Sequence, residues 1–148
     1  MIVGIDLGTT NSLAAVWRDG QAVLIPNALG QVLTPSCVSL DDQGQVLVGA
    51  AARDRLLTQP RRTAAAFKRY MGTDRRLTLA DREFRPEELS ALVLKSLKAD
   101  AEAFLGEPVT EARRVTVQSP CTGCGQDTRP RAMRYAMGSP SASAAEAA

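Results

Sequence analysis

The most informative absence in this 148-residue chain is histidine, of which it contains none. Three cysteines are present, and two of them, Cys121 and Cys124, have the C-x-x-C spacing of a zinc or redox motif. Structural zinc needs four ligands, and without histidine or a second C-x-x-C pair this sequence supplies two. The odd cysteine count also argues against a disulfide framework. We therefore expect Cys121 and Cys124 to be free and without metal, and Cys37 to be a small buried apolar residue.

Long apolar runs, aromatic residues and excess charge are also lacking. No run approaches the roughly 20 residues of a membrane-spanning helix, and no basic segment precedes the short apolar start, which Asp6 interrupts. Aromatic residues make up 4% of the chain and do not alternate with basic ones, so Trp17 and Phe104 are expected to pack rather than to stack on bases. The net charge of +2 calls for no nucleic acid or anionic membrane. We expect a cytoplasmic protein that binds neither nucleic acid nor a membrane.

The hydrophobic pattern predicts a mixed α/β domain. Apolar runs flanked by turn residues predict strands within residues 1–40 and at 111–117, with a hairpin turn at Asp19 and Gly20. Helices are predicted near residues 50–59, 61–71 and 86–105. The last of these has the clearest signals, because Pro86 suits a first helical turn and Gly106 a helix end.

The opening stretch "VGIDLGTTNS", residues 3–12, contains the residues best suited to chemistry. A short apolar strand ends at Asp6, a position from which a carboxylate can hold Mg²⁺ through the water molecules of the ion. Gly8 permits a tight backbone turn. Hydroxyls, an amide and backbone N–H groups, which can surround phosphate oxygens, then follow at Thr9, Thr10, Asn11 and Ser12. The spacing is not that of a Walker loop, and by itself the stretch could also be an ordinary structural turn.

This opening resembles the first phosphate loop of the DnaK-type chaperones, the seventy-kilodalton heat-shock family. The resemblance continues in order through four further blocks and covers about residues 1–117. The flanking "SLAAVWRDGQAVLIPN" and the short segment between Gly72 and Phe84 are most similar to the HscC branch. The four blocks are "LIPNALGQVLTPS" (24–36), "VLVGAAA" (46–52), "FKRYMG" (67–72) and "LKADAEAFLGEPVTEA" (97–112).

The resemblance implies an actin-like, ribonuclease H-like ATPase, of which residues 1–117 would be an incomplete first lobe with a mixed β-sheet and flanking helices. ATP and Mg²⁺ are the implied cofactors, and Asp6 corresponds to the acid near the metal, held through water. Lys68 of "FKRYMG" corresponds to the lysine that reaches the γ-phosphate and positions the attacking water, whereas outside the family it reads as a solvated helix residue. The implied partners are unfolded client peptides, a J-domain co-chaperone and a nucleotide-exchange factor. The residues implied to bind the phosphates are Gly8, Thr9, Thr10, Asn11 and Lys68.

The family pattern stops after "VTV" at residue 117. Residues 118–148 are rich in Ser, Ala, Gly, Pro and Arg without a sustained apolar period, so we expect a divergent, disordered tail. The second lobe and the peptide-binding domain have no counterpart here, which predicts a truncated or frame-shifted chaperone fragment unable to hydrolyse ATP alone. Two alternatives remain: an isolated, non-catalytic protein-binding lobe, and another actin-like ATPase such as a sugar kinase.

Overall fold

Apolar residues alternate with small or polar ones at the start of the chain, and this alternation builds the first strands of a mixed sheet. The computed structural model describes residues 1–114 and the backbone of the strand at 133–136. Its strands are β1 (Ile2–Asp6), β2 (Asn11–Arg18), β3 (Gln21–Ile25), β4 (Thr34–Pro35), β5 (Cys37–Leu40), β6 (Val46–Val48), β7 (Thr63–Ala65), β8 (Leu77–Leu79), β9 (Arg82–Phe84), β10 (Glu111–Arg114) and β11 (Met133–Ala136). Its helices are α1 (Ala50–Arg53), α2 (Arg55–Thr58), α3 (Pro86–Leu105) and two 3₁₀ turns, Pro60–Arg62 and Phe67–Tyr70.

Strand β1 lies in the middle of the main sheet. It pairs with β2 in antiparallel and with β10 in parallel orientation, in the strand order β11-β10-β1-β2-β3, while β4 pairs with β2 beside this path. Asp19 and Gly20 join β2 to β3, and both have the positive φ that a tight hairpin turn requires. The predicted mixed sheet and hairpin are therefore confirmed.

Helix α3 covers one face of this sheet. Its buried residues recur at helical spacing and belong to the same hydrophobic core as the inward side chains of β1 and β2. The helix begins at Pro86 and ends at Gly106, whose φ of 71° is the left-handed conformation that glycine adopts most readily. The predicted helix at 86–105 is confirmed, and its buried face consists of Leu89, Val93, Leu97 and Ala101.

A second, three-stranded sheet contains β6, β5 and β7 in that order. Strand β7 lies where a helix at 61–71 was predicted, and that prediction is wrong. Thr63–Ala65 pairs with β5, and Ala66 has a φ of 53° that no α-helix allows. The long-range ladder with β5 outweighs the helix propensity of the alanine run. The predicted helix at 50–59 is present only as the single turns α1 and α2.

Two aromatic residues differ from expectation. Trp17 is 72% exposed and Phe104 is 42% exposed, so neither is a core residue. Cys37, in contrast, is buried as predicted. No helix within residues 1–114 combines the length and hydropathy of a membrane span.

Part of the expectation for the end of the chain falls beyond what the structure describes. Strand β11 belongs to the segment 118–148 that was expected to be disordered, and its backbone pairs with β10. Residues 115–132 and 137–148, with Cys121 and Cys124 among them, lie outside the described residues. The boundary at residue 117 and the free state of those two cysteines stay predictions.

Candidate functional site

The candidate site lies at the end of β1, where the sheet gives way to a short loop. Strand β1 ends at Asp6, β2 begins at Asn11, and the antiparallel ladder between the two strands ends with Asp6 opposite Leu13. The half-buried Asp6 thus stands at the margin of the sheet and Thr10 is exposed beside it. This geometry places one carboxylate next to a loop with several backbone N–H groups.

The loop is so tight that position 8 has no room for a side chain. A Cβ atom on Gly8 would lie 2.0 Å from the carbonyl oxygen of Asn11, which is a backbone atom and cannot swing aside. The constraint is therefore close approach of two backbone segments. Glycine at position 8 allows the loop to fold back directly onto the start of β2.

The segment Thr34–Ser36 is hydrogen-bonded to two carbonyl groups of this loop. The Ser36 amide donates a hydrogen bond to the Thr10 carbonyl (2.8 Å), and the Ser36 hydroxyl donates another to the Gly8 carbonyl (2.8 Å). The hydroxyl oxygens of Ser12 and Ser36 are 2.8 Å apart, and both side chains are buried. Sequence reasoning did not assign Ser36 to the site. The available signal was two hydroxyl residues on either side of Pro35 in a stretch that is otherwise apolar.

Lys68 approaches the loop from the other direction. The left-handed Ala66 turns the chain out of β7, and the buried ring of Phe67 anchors the 3₁₀ turn on which Lys68 lies. The Lys68 ammonium group donates a hydrogen bond to the Leu7 carbonyl, across 61 residues of sequence. Lys68 therefore reaches the end of β1 next to the loop Gly8–Asn11, and it does so from a 3₁₀ turn and not from an α-helix. Its role at a γ-phosphate stays a prediction.

The surroundings of Lys68 change the pKa of its ammonium group. Burial lowers the pKa of Lys68 below its usual value, the positive charge of Arg114 lowers it further, and the carboxylate of Asp6 partly offsets both effects. Strand β10 brings Arg114 to this place, since Arg114 pairs with Ile5 of β1. Two cations and one carboxylate thus influence one another at the end of the sheet, and an anion bound there would relieve the repulsion between the cations.

The grouped side chains are chemically suited to a phosphate with a hydrated metal ion. Amide N–H groups, two threonine hydroxyls and an ammonium group are donors for phosphate oxygens. Within residues 1–114 no three Cys, Asp or Glu side chains cluster in a way that could enclose a metal ion. A site with the single carboxylate of Asp6 suits an ion that keeps most of its water ligands, as Mg²⁺ does.

Comparison with known protein families identifies the family of this chain. A family model described as "Hsp70 protein" matches residues 2–78 and 73–121. The matched segments contain β1, the loop Gly8–Asn11, the Thr34–Ser36 segment, the 3₁₀ turn with Lys68 and helix α3. Because the match covers well over half of the 148 residues, the chain belongs to the Hsp70 family.

Proposed function

We propose that residues 1–117 form the first-lobe part of the ATPase domain of an ATP-driven chaperone of the HscC type. Membership in the Hsp70 family implies an actin-like ATPase fold, with which the mixed α/β architecture is consistent, and a family ligand, ATP with Mg²⁺. The observation that carries the proposal is the meeting of Asp6, the loop Gly8–Asn11 and Lys68 at one end of β1.

In this proposal the loop binds the phosphates of ATP. Backbone N–H groups and the hydroxyls of Thr9 and Thr10 donate hydrogen bonds to phosphate oxygens, and the absence of a side chain at Gly8 keeps the backbone close to the ligand. These donors are positioned before the ligand arrives, because the loop is already bonded to Ser36. Little ordering entropy is then lost on binding.

Asp6 and Lys68 have complementary electrostatic roles. Asp6 would hold Mg²⁺ through the water molecules of the ion, and the bound ion would neutralise charge on the phosphates. Lys68 places a positive charge at the γ-phosphate and donates a hydrogen bond that orients the attacking water. Since the amides of the loop hold the phosphates independently, Lys68 contributes more to hydrolysis than to binding.

The family match supports the chaperone over the other readings. A sugar kinase would share the Asp-x-Gly-Thr loop, but the matched residues also include the "LTPS" and "FKRYMG" blocks. The HscC assignment rests on "SLAAVWRDGQAVLIPN", which forms β2 and β3. Unfolded client peptides, a J-domain co-chaperone and a nucleotide-exchange factor are the partners that family membership implies in general.

The test is MgATP binding by the purified chain, measured by isothermal titration calorimetry with and without Mg²⁺. We expect Asp6→Asn to weaken the Mg²⁺ dependence, because one negative charge near the ion is lost. Asp19→Asn removes the same charge at the distant hairpin turn and is the matched control. Lys68→Ala should keep MgATP affinity within about tenfold, and Lys95→Ala on the exposed side of α3 should leave it unchanged. The isolated chain should show almost no ATP turnover. In a full-length relative that carries these segments, Lys68→Ala should lose turnover.

Three outcomes would contradict the proposal in different ways. Failure of the wild-type chain to bind MgATP would leave a protein-binding lobe as the function. Binding that is equally Mg²⁺-dependent in wild type and Asp6→Asn would remove Asp6 from the metal site. Unchanged turnover in the Lys68→Ala variant of the full-length relative would remove the lysine from the hydrolysis step.

A further inference from the structure

The Thr34–Ser36 segment contains a hydroxyl pair whose hydrogen-bond direction can be worked out. A serine hydroxyl has one proton, and a carbonyl oxygen can only accept. The Ser36 proton is therefore directed to the Gly8 carbonyl, and the proton between the two hydroxyls must come from Ser12. The result is a chain of two hydrogen bonds, from the Ser12 hydroxyl to the Ser36 hydroxyl and from there to the Gly8 carbonyl of the phosphate loop.

Ser36 restrains two carbonyls of the loop at once. Its hydroxyl binds the Gly8 carbonyl and its amide binds the Thr10 carbonyl, both at 2.8 Å. In a trans peptide the C=O and N–H groups point in opposite directions. The Thr9 amide, which shares its peptide with the Gly8 carbonyl, therefore points away from the Thr34–Ser36 segment.

This orientation matters because an anion is repelled by a carbonyl oxygen and attracted by an amide N–H. If the peptide between Gly8 and Thr9 rotated, a partial negative charge would replace a donor in the loop. Glycine at position 8 makes such a rotation easy, since it has few steric restrictions. A residue that donates a hydrogen bond to the Gly8 carbonyl prevents the peptide from rotating.

We infer that Ser36 is a positioning residue for the phosphate loop: it holds the Gly8 and Thr10 carbonyls away from the bound phosphates, so that the loop presents donors to them. Ser12 supports Ser36 by occupying its acceptor lone pair and orienting the hydroxyl. The inference rests on the proposed function, because it concerns how that site receives the phosphates of ATP. Ser36 acts through the loop backbone and does not itself contact the ligand.

The chain offers a closely matched control. The Ser39 hydroxyl on β5 is also buried, donates to a backbone carbonyl (Arg62, 3.1 Å) and pairs with a second hydroxyl (Thr63, 2.9 Å). The Ser39 hydroxyl also accepts a hydrogen bond from the Arg55 guanidinium (3.1 Å), so Ser39→Ala removes one partner more than Ser36→Ala does. Only Ser36 contacts the phosphate loop.

The experiment measures MgATP dissociation constants and thermal midpoints for the whole chain and its variants. Ser36→Ala should weaken MgATP binding by about tenfold. Ser39→Ala should leave the affinity within about twofold, although its loss of thermal stability should be at least as large. Ser36→Thr retains the hydroxyl and should restore most of the affinity. Ser12→Ala, which leaves the Ser36–Gly8 bond in place, should lose about threefold and keeps the test available if Ser36→Ala does not fold.

The possible results separate this inference from the proposed function. If the wild-type chain binds MgATP but Ser36→Ala and Ser39→Ala bind it equally well, Ser36 has only a structural role and the inference is wrong. The same holds if Ser36→Thr binds as weakly as Ser36→Ala while remaining folded, or if Ser12→Ala has no effect on affinity. If the wild-type chain does not bind MgATP, the proposed function fails and the inference fails with it.

Discussion

At the scale of single residues, the position of Lys68 in the fold changes the pKa of its ammonium group. Its pKa is lowered by burial and by Arg114, although Asp6 opposes the shift. Phosphate binding favours the protonated amine, so the affinity for MgATP should be complete at pH values below the lowered pKa. Affinity should fall as the pH rises through that pKa, earlier than for a solvent-exposed lysine.

The variant Lys68→Arg tests this prediction directly. A guanidinium group stays charged up to about pH 12, so the variant should lose the decline in affinity even if its affinity at neutral pH is lower. Dissociation constants measured from about pH 7 to about pH 10 would provide the comparison. A parallel decline in wild type and Lys68→Arg would assign the titration to another group.

At the scale of elements, α3 is the helix that holds the sheet in place, and its leucines should dominate stability. Leu89 is completely buried in the hydrophobic core, whereas Leu57 on α2 is 94% exposed. Leu89→Ala removes buried methyl groups and leaves a cavity, so it should cost about 3 kcal/mol of unfolding free energy. Leu57→Ala, the same substitution on a helix surface, should stay within about 0.5 kcal/mol. Urea denaturation followed by circular dichroism measures both, and equal effects would show that α3 is not packed as described.

The segment 61–71 shows the limit of reading one element at a time. "RRTAAAFKRYMG" has alanines and basic residues in an order typical of a helix end, and the helix prediction followed from that local pattern. In the structure, Thr63–Ala65 forms a strand because β5 offers an unpaired edge, and the chain then turns at Ala66. Strand β5 is distant in sequence from Ala64, so the residues around Ala64 do not indicate that β5 has a free edge.

At the scale of the whole molecule, the main sheet has two different faces. Helix α3 covers the face with Val3 and Val16, whereas the opposite face exposes Ile2, Trp17 and Leu24 by 46%, 72% and 43%. Exposed apolar patches of this kind favour association. Because buried and exposed residues alternate along β1 and β2, substitutions at neighbouring positions should differ in their effect on stability and on association.

Trp17→Thr should keep the unfolding free energy within about 0.5 kcal/mol and reduce light scattering at high protein concentration. Val16→Thr, one position away on the buried face, should cost about 1–3 kcal/mol, because it buries a hydroxyl without an assigned partner. Fluorescence of the single tryptophan should be quenched by iodide almost as strongly as in free tryptophan. A shielded fluorophore, or a loss of stability in Trp17→Thr equal to that in Val16→Thr, would contradict the exposed position of Trp17.

Much of the candidate site was predictable because its signals are local. The strand that ends at Asp6, the glycine at position 8 and the hydroxyls after it are adjacent in sequence, so one stretch of ten residues predicts their neighbourhood. The hairpin at Asp19–Gly20 and the ends of α3 were likewise predictable, since turn and cap residues act on the few residues around them. The roles of Asp6 and Lys68 came from family resemblance and stay predictions.

By itself, then, the sequence determined the strand and loop at 2–12, the hairpin, helix α3, a mixed sheet and the family. Only the tertiary structure decided that Thr63–Ala65 is a strand, that Ser36 holds the Gly8 carbonyl, and that Arg114 lies close enough to Lys68 to lower its pKa. Each of these depends on groups 24 or more residues apart, as in Ser12 with Ser36 and Lys68 with Leu7. Local propensity constrains turns, caps and periodicity, whereas the pairing of distant segments depends on which free edges and buried polar groups the rest of the fold leaves to be satisfied.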